Sequence, residues 1–506
     1  MSPWTRALEV WRDPNPIVRK ELLAALRTPL YVRVVVGVLV ALAALMVLSA
    51  VSVADEPDTT EAGRVLFQLF FGATYVAIAV VGPTLGAMSI VHEREARTWD
   101  AMVLSGMRPW RVVWGKLIAV FAAVLFIPLA SLPMLSVVAL FGGVSGAQIA
   151  IAGAYTLVLG ALSVSMGVAV SAQSVATRRA LLVTTPVAVF GTMILGGVLA
   201  AVGHDVARHH ALTIDGPFFF ADAYLALPFD RTYFVYLILL PVWAIGVPFW
   251  GFHALARSGL MDPTEDKTWP LKRWALGALV TSIAAVGIAT RLLGVTVRGK
   301  QAWSLAVMGA ATPLALVLLF MFVSEPVVPT RRMLLDPPRG PLVGRLRPTL
   351  VPSVGFVVAA FGAALLGCPF ALEAGGRDLV LLGAWCAAFV AGVAGVMGWL
   401  AARAKTTERG ATAARVYGVV TLFIACVGVW IVAALAGATS DPLRRPFALL
   451  GASPTWVGPA ALDVFFSSWR RPTPEAYTAL YTGIGIWSAV AVAGITAMRR
   501  AARRIG

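Results

Sequence analysis

The sequence is poor in charge. Asp, Glu, Lys and Arg make up 13% of its 506 residues, about half of the roughly 25% that is usual in soluble domains, whereas 59% of the residues are apolar. A soluble fold of this length could not bury so much apolar surface, which excludes a cytosolic enzyme of one or two domains. Aromatic and branched aliphatic residues are plentiful, which excludes a disordered chain. The remaining class is a polytopic membrane protein.

Cysteine is scarce as well. The three cysteines, Cys368, Cys386 and Cys426, lie in apolar stretches, and none has a CxxC partner or a neighbouring histidine. Cysteines in such surroundings are typically small core residues. The sequence therefore predicts neither a disulfide framework nor a cysteine metal site.

Long apolar runs are what the chain does contain. A helix needs about 20 apolar residues to cross a bilayer, and continuous runs of this length are typical of helices rather than of barrel strands, which alternate and are shorter. Twelve runs qualify: residues 32–54, 65–91, 117–141, 147–171, 181–203, 232–256, 274–293, 302–323, 351–372, 379–402, 416–437 and 477–498. The sequence predicts an all-α polytopic membrane protein with about 12 transmembrane helices in two sets of six.

The distribution of charge predicts the orientation. The chain carries 41 Lys and Arg against 25 Asp and Glu, a net charge of +16. If the N-terminus is cytoplasmic, the cytoplasmic segments hold almost three times as many Lys and Arg as the outside segments. Because Lys and Arg accumulate in cytoplasmic loops, we expect both termini to be cytoplasmic. The positive charge is then explained by topology, and we expect no nucleic-acid partner.

None of the twelve runs contains Asp or Glu. Ion-driven carriers usually need ionisable or carbonyl-rich sites at membrane depth, and an intramembrane hydrolase needs a buried acid, base or metal cluster. The charged residues in the runs are Arg33 and Arg291, both near an end, and His253 is also near an end. This pattern argues against a secondary transporter and against a membrane-embedded enzyme.

One motif approaches a phosphate-binding loop. Residues 294–301, GVTVRGKQ, nearly match GxxxxGK[ST], but Gln301 stands where Mg²⁺ needs a hydroxyl group and no strand precedes the motif. We expect a short basic turn between the seventh and eighth spans. ATP hydrolysis would then have to come from a separate chain.

A histidine-rich segment lies outside the membrane. The sequence HDVARHH holds His204, Asp205, His209 and His210. Asp205 and His209 would share one helical face, and both residue types bind zinc. No further ligand completes a site at a suitable spacing, so a solvated segment without metal is expected.

The N-terminal 31 residues carry apolar positions at helical spacing. These positions are Trp4, Trp11, Val18, Leu22 and Leu26. Charged residues occupy the other faces, which is typical of a helix lying in the membrane interface. The alternative is an ordinary solvated N-terminal helix.

The segment between the second and third runs, residues 92–116, is charged and rich in tryptophan. It reads HEREARTWDAMVLSGMRPWRVVWGK. The pattern predicts a short helix over residues 93–105 that ends at Ser105-Gly106, because glycine accepts the left-handed conformation of a helix cap. Pro109 then begins the next helix. Such a helix is either a docking element for a cytoplasmic partner or an interfacial loop anchored by tryptophans.

Two stretches resemble the permease subunits of type-2 ATP-binding-cassette exporters. NPIVRKELLAALRTP (residues 15–29) is similar to the elbow-helix opening of these permeases, and EREARTWDAMVLSGMRPWRVVWGKL (residues 93–117) is similar to their segment between spans two and three. The matching positions of the second stretch are Glu93, Glu95, Thr98, Leu104, Gly115 and Lys116. This chain departs from the family at Ser105-Gly106, where a Ser/Thr-Pro turn is usual. The resemblance extends through the sixth span.

The resemblance implies a function. In the family this segment contains the coupling helix, which docks on a separate cytoplasmic ATPase subunit that binds ATP and Mg²⁺. The chain would be the permease subunit of an exporter in the plasma (cytoplasmic or inner) membrane, with no catalytic residue, cofactor or metal of its own. The implied docking residues are Glu93, Glu95, Arg97, Thr98, Trp99, Asp100, Leu104 and Ser105. Trp99 and Leu104 would supply the apolar contact and the charged residues its rim.

The predicted organisation has four parts. They are interfacial residues 1–31, a six-span permease domain at 32–256 with the coupling helix at 93–105, a cytoplasmic linker at 257–273, and a second six-span domain at 274–506. The second domain is either a diverged repeat or an unrelated extension, so the two halves of a transport path come from a homodimer or from an internal pseudo-dimer. A non-transporting membrane scaffold or assembly protein and a secondary transporter are the alternative functions.

Overall fold

The computed structural model describes most of the chain. The described residues are 16–52, 58–99, 104, 107, 109–261, 266–329, 331, 349–374, 376–404, 406–435, 448–457 and 474–505. Helix makes up 89% of the structure, and the described residues contain no strand. The predicted all-α class is therefore confirmed.

Twelve helices among the described residues are long and apolar enough to cross a membrane. In chain order, spans 1 to 12 are Tyr31–Ser52, Thr59–Glu95, Pro109–Phe141, Gly146–Gln173, Thr177–His210, Arg231–Leu260, Trp269–Leu292, Gly299–Phe322, Leu350–Ala371, Arg377–Arg403, Thr407–Ala433 and Pro474–Arg504. Each span overlaps one of the predicted apolar runs, which confirms their number. A further helix, Pro16–Arg27, precedes span 1 and is called the N-terminal helix here.

The chain divides into two units. The first, Met1–Met261, contains spans 1–6, and the second, Asp262–Gly506, contains spans 7–12. Within the first unit, span 4 packs against spans 2 and 6, and span 5 packs against span 2. Within the second unit, span 10 packs against spans 9, 11 and 12.

Polar residues at the span ends explain why the helices begin where they do. The Asp58 carboxylate accepts a hydrogen bond from the Thr60 amide at 2.9 Å and caps span 2. Ser145 and Gln148 form a capping box at the beginning of span 4. Thr296 caps the helix of span 8. These side chains satisfy amides that have no partner inside the helix.

Carboxylates do enter the helices, but only close to their ends. The helices extend past several of the apolar runs and so include Glu61, Glu93, Glu95, Asp205, Asp378, Glu408 and Glu475, all within six residues of a span end. The central part of each span contains no Asp or Glu. The described spans therefore lack carboxylates at membrane depth but carry them at the helix ends.

The turn in the GVTVRGKQ motif is shorter than the sequence predicts, because the second half of the motif is helical. The helix begins at Val297, so only residues 293–296 form the turn, with Gly294 at φ = 58°. Glu373 binds this region, because its carboxylate lies 2.6 Å from Arg291 and 3.1 Å from Lys300. These two cations lower the pKa of the Glu373 carboxyl below its ordinary value.

A short apolar segment separates spans 5 and 6. It contains a 3₁₀ turn, Gly216–Phe218, and a short helix, Phe220–Ala226. Phe218 is buried, and its ring lies 6.0 Å from that of Phe71 on span 2. The segment thus packs against the N-terminal half of span 2 and not only against solvent.

Candidate coupling site at the end of span 2

Span 2 ends in a tight hydrogen-bonded turn. The Thr98 amide donates to the Glu93 carbonyl at 3.0 Å, and the Arg97 amide donates to the Arg94 carbonyl at 3.2 Å. Arg97 has φ = 58°, the left-handed conformation of a Schellman cap that glycine usually adopts. The predicted helix over residues 93–105 is therefore wrong at its beginning, because Glu93 to Glu95 form the last turn of span 2.

The Glu93 carboxylate points inward. Glu93 is buried, with 6% of its surface exposed, and its Oε1 atom lies 2.9 Å from Nζ of Lys116 on span 3. Lys116 is fully buried and also donates to the Ser89 carbonyl at 2.9 Å. Two buried opposite charges at this distance attract each other strongly. Glu93 therefore joins spans 2 and 3, and its side chain does not form part of an exposed rim.

The same cluster binds the N-terminal helix. The Glu21 carboxylate lies 2.9 Å from Lys116 Nζ, and Lys20 Nζ lies 3.4 Å from the Glu93 carboxylate. Two cations and two anions balance, as buried charges must. Oε2 of Glu93 is buried without a hydrogen-bond partner. The cluster fixes the N-terminal helix to the ends of spans 2 and 3 that are predicted to be cytoplasmic.

Arg94 reaches in another direction. Its guanidinium donates to the Ser174 carbonyl at 2.7 Å, just after span 4, and to the Gly259 carbonyl at 3.1 Å, near the end of span 6. The planar guanidinium suits two divergent acceptors. It also lies 5.4 Å from the ring centre of Trp99. Arg94 thus satisfies carbonyls that the ends of spans 4 and 6 leave open.

Glu95 caps span 5. Its carboxylate accepts hydrogen bonds from the Thr177 amide and from the Thr177 hydroxyl, both at 2.7 Å. Thr177 is the first residue of span 5, where a negative charge is favourable beside the helix dipole. Glu95 therefore binds span 5, whereas Glu93 and Arg94, the two charged residues before it, bind other elements.

Glu93, Arg94 and Glu95 together form what we call the span-2 hub. Between them they bind the N-terminal helix and spans 3, 4, 5 and 6. The helix that contains span 1 begins at Pro29, a single residue after the N-terminal helix. Every span of the first unit is thus connected to the last turn of span 2, directly or through the N-terminal helix.

The residues after the hub differ in exposure. Trp99 is half-buried and packs against the apolar core of the first unit, whereas Leu104 exposes 86% of its surface. Arg97 and Thr98 are exposed, and Asp100 and Ser105 lie outside the described residues. Leu104 is therefore better placed than Trp99 to contact a partner. The docking role of all these residues stays a prediction.

The N-terminal helix packs against span 3 and, more lightly, against span 1. Val18, Leu22 and Leu26 are half-buried on it. Trp4 and Trp11 lie outside the described residues. The stripe predicted to face the membrane interface therefore lies at least partly against the protein, and its contact with lipid stays a prediction.

The histidine-rich segment forms pairs and not a cluster. Nδ1 of His209 lies 3.5 Å from the Asp205 carboxylate, on the shared helical face that the sequence predicts. His204 binds Asp215 at 2.8 Å and thereby lowers the pKa of that carboxyl. Within the part of the chain that the structure describes, no group of three or more His, Cys, Asp and Glu residues is suitably placed for a metal ion.

The second unit has a buried ion pair that the sequence analysis missed. Lys272, in the first turn of span 7, lies 3.5 Å from the Glu325 carboxylate just after span 8. Ser353 on span 9 accepts a hydrogen bond from Lys272 at 2.7 Å and donates to Glu325, as does Thr268. Burial raises the pKa of Glu325, and Lys272 opposes that effect. The sequence feature that could have indicated this ion pair is Lys272, which lies at the edge of the apolar run 274–293.

The comparison with protein families identifies the first unit. Residues 41–247 match the model of the ABC-2 family transporter protein. No curated protein matches the chain significantly, and no solved structure does. The match extends from span 1 into span 6 and includes the span-2 hub.

The fold defines a multi-pass membrane protein, and its first unit contains a region that matches an ABC-2 transporter membrane domain. The match over residues 41–247 confirms the resemblance seen in the sequence and is consistent with an ABC-2 type permease. Permeases of this family are membrane components that are not themselves catalytic, and the family implies an ATP-binding-cassette partner.

Proposed function

We propose that the chain is the permease subunit of an ATP-driven exporter and that a separate cytoplasmic ATPase, which binds ATP and Mg²⁺, docks on the segment after the span-2 hub. The hub is the observation that carries this proposal. A partner that displaces residues 99–105 pulls on a turn whose three charged side chains bind the N-terminal helix and spans 3–6.

The chemistry of the hub suits the transmission of force. Each of its bonds involves an ionised group, and charge-assisted hydrogen bonds are shorter and roughly twice as strong as neutral ones. Closure of an ATPase dimer is a rigid-body motion of the kind that packed helices pass on as small shifts and rotations. The hub lets such a motion reach several spans at once, which an ordinary interfacial loop does not do.

A transport path needs two halves, and the chain has two six-span units. In each unit a buried carboxylate stands at or just after the end of the second span and binds a lysine, Lys116 or Lys272. The lysine lies on the third span of the first unit but on the first span of the second unit, where Ser353 on the third span contacts the carboxylate instead. This shared pattern supports a diverged repeat, and we propose an internal pseudo-dimer in the plasma membrane, with a homodimer as the alternative.

The docking proposal is tested with Leu104→Asp. The matched control is Phe229→Asp, which changes a residue of similar exposure (84% against 86%) on the side predicted to lie outside the cell. Tagged protein is purified from native membranes in mild detergent, and co-purifying ATPase activity is measured. We expect Leu104→Asp to lose the ATPase while the control keeps it.

Trp99 is also a predicted docking residue, but it packs against the apolar core. A Trp99→Asp substitution would therefore disturb folding as well as docking, and its effects on the two could not be separated. A Leu104→Asp variant that retains the full amount of ATPase contradicts the docking proposal. If the wild-type chain itself purifies without any ATPase in several detergents, the scaffold alternative replaces it. Transport that needs no ATPase and is abolished by ionophores would instead identify a secondary transporter.

A further inference from the structure

The first unit contains an apolar groove that the coupling site does not use. A cavity of about 430 Å³ lies between spans 2, 4 and 5 and the segment after span 5. A second cavity of about 190 Å³ shares Tyr75, Leu159 and Thr192 with it and continues between spans 2, 4, 5 and 6. The two cavities together are called the outer groove here. The volume of the larger cavity lies in the range of small-molecule sites.

The larger cavity lies mainly in the outer half of the membrane. Along span 2 it runs from Gly72 to Val80, which is about 12 Å at the helical rise of 1.5 Å per residue, and one leaflet contributes about 15 Å of hydrocarbon. The predicted middle of span 2 is near residue 78, and the smaller cavity continues past it to Pro83.

The lining is almost entirely apolar. Tyr75, Tyr155 and Thr192 bring the polar side chains of the larger cavity. The Thr192 hydroxyl donates to the Ala188 carbonyl at 2.6 Å, and the Tyr155 ring stacks on Phe220 at 4.3 Å. The groove therefore offers few polar groups to a ligand and favours hydrocarbon.

The groove opens towards lipid. Val76 on span 2 is 52% exposed, and Met193 on span 5 is 68% exposed, although both line the larger cavity. Near its outer end the surface becomes polar, because Gln68 donates to the Asp215 carbonyl at 3.1 Å and His204 binds the Asp215 carboxylate. A ligand that enters from the outer leaflet thus meets an apolar channel beneath a polar rim.

We propose that the outer groove binds one hydrocarbon tail of a membrane amphiphile from the outer leaflet, with the polar head beside Gln68 and Asp215. Length, lining and opening each match such a ligand, whereas a sugar or peptide would leave its polar groups unpaired along the channel. The amphiphile is the transported cargo, and this last assignment rests on the proposed transport function.

Two glycines allow the groove to be filled without disturbing the helix. A Cβ atom at Gly196 or Gly197 would have no heavy atom within 4 Å, although both residues line the larger cavity. Gly196→Leu and Gly197→Leu therefore place side chains in the groove. Gly37 on span 1 has the same open surroundings but lies outside both cavities, so Gly37→Leu is the matched control.

The test uses a phosphatidylcholine whose acyl chain carries a photoreactive diazirine. The purified protein is reconstituted into phosphatidylcholine vesicles that contain a trace of this lipid. The vesicles are illuminated, and the labelled residues of the protein are identified by mass spectrometry. We expect the label to concentrate on groove residues such as Leu159 and Met193, and to fall several-fold in both groove variants but not in Gly37→Leu. Equal labelling of the groove and of the exposed valines of span 1, or undiminished labelling in both groove variants, overturns the proposal.

A second measurement separates binding from transport. In the complex with its ATPase, the groove variants should keep the ATPase bound but lose stimulation of ATP hydrolysis by the amphiphile. Stimulation that persists in both groove variants overturns the cargo assignment. Labelling of the groove in a chain that binds no ATPase leaves the tail site established and refutes the proposed transport function instead.

Discussion

Replacing Lys116 with methionine tests the buried charge cluster most directly. Methionine keeps the length and apolar stem of lysine but removes the ammonium group. Glu93 and Glu21, whose Oε1 atoms each lie 2.9 Å from Lys116 Nζ, would then face each other without that cation. Lys20 is too exposed, at 65% of its side chain, to replace it.

The expected loss of stability is large. Lys116 exposes none of its side chain and Glu93 8%, and removing one partner of a buried pair costs about 3–5 kcal/mol, because the other charge stays buried without compensation. In a domain about as large as the first unit, this loss of stability corresponds to a fall in Tm of roughly 6–20 °C. The Ser89 carbonyl also loses its donor, which adds to the cost.

The assay is thermal unfolding of the purified chain in detergent, followed by near-ultraviolet circular dichroism. Arg179→Met serves as the control, since Arg179 is an exposed cation at the beginning of span 5, on the same predicted side of the membrane. A triple variant, Lys116→Met with Glu21→Gln and Glu93→Gln, removes all three charges. We expect it to recover much of the lost stability, because neutral groups need no buried counter-charge.

The unfolding temperatures of the single and triple variants show whether unpaired charge causes the loss of stability. If Lys116→Met unfolds within about 2 °C of the wild type, a shift worth about 1 kcal/mol or less, the cluster does not hold these helices together. If the triple variant is as unstable as the single one, the loss comes from packing of the lysine stem and not from unpaired charge. Either result would remove the physical basis for transmission through the span-2 hub.

Two further changes probe single contacts. Glu95→Gln weakens the carboxylate cap on Thr177, so amide hydrogen exchange in the first turn of span 5 should become several-fold faster, while exchange in span 4 stays unchanged. Glu373→Gln removes a carboxylate whose pKa is lowered by Arg291 and Lys300. A lowered pKa stabilises the fold above the ordinary carboxyl pKa, and the effect is lost as the pH falls through the lowered value. The wild type should therefore lose more stability than this variant on acidification below about pH 4, and identical pH profiles would contradict the assignment.

The sequence predicts the spans well because the signal for them is additive. Each apolar run sums about 20 transfer free energies, so a single residue hardly changes the outcome. The helix end after Glu95 follows a different rule. Glycine at 106 is the expected cap, but Arg97 adopts the left-handed conformation nine residues earlier, because the surrounding hydrogen bonds compensate its modest steric cost.

The hub could be predicted only in part. The family resemblance singles out Glu93 and Glu95, but no sequence pattern shows that they bind inward, to Lys116 and Thr177. These contacts join residues 23 and 82 positions apart, and a single sequence contains no information on such pairs. Charged residues beside an apolar run are usually solvated, so the ordinary expectation was an exposed rim.

Spans 2 and 4 pack closely where span 4 carries small residues four apart, Ser163 and Gly167, a spacing typical of helix packing in membranes. A Cβ atom at Gly167 would lie 2.2 Å from the Pro83 carbonyl oxygen, whereas one at Gly153, on the same helix, would have no heavy atom within 4 Å. Alanine at a helical glycine gains about 0.5–1 kcal/mol from lower backbone entropy, but overpacking costs about 1–3 kcal/mol. Gly153→Ala should therefore raise the Tm and Gly167→Ala should lower it, as measured by thermal unfolding of the two purified variants. Shifts of the same sign and size would mean that spans 2 and 4 do not approach each other at Gly167, and that the small residues there serve another purpose.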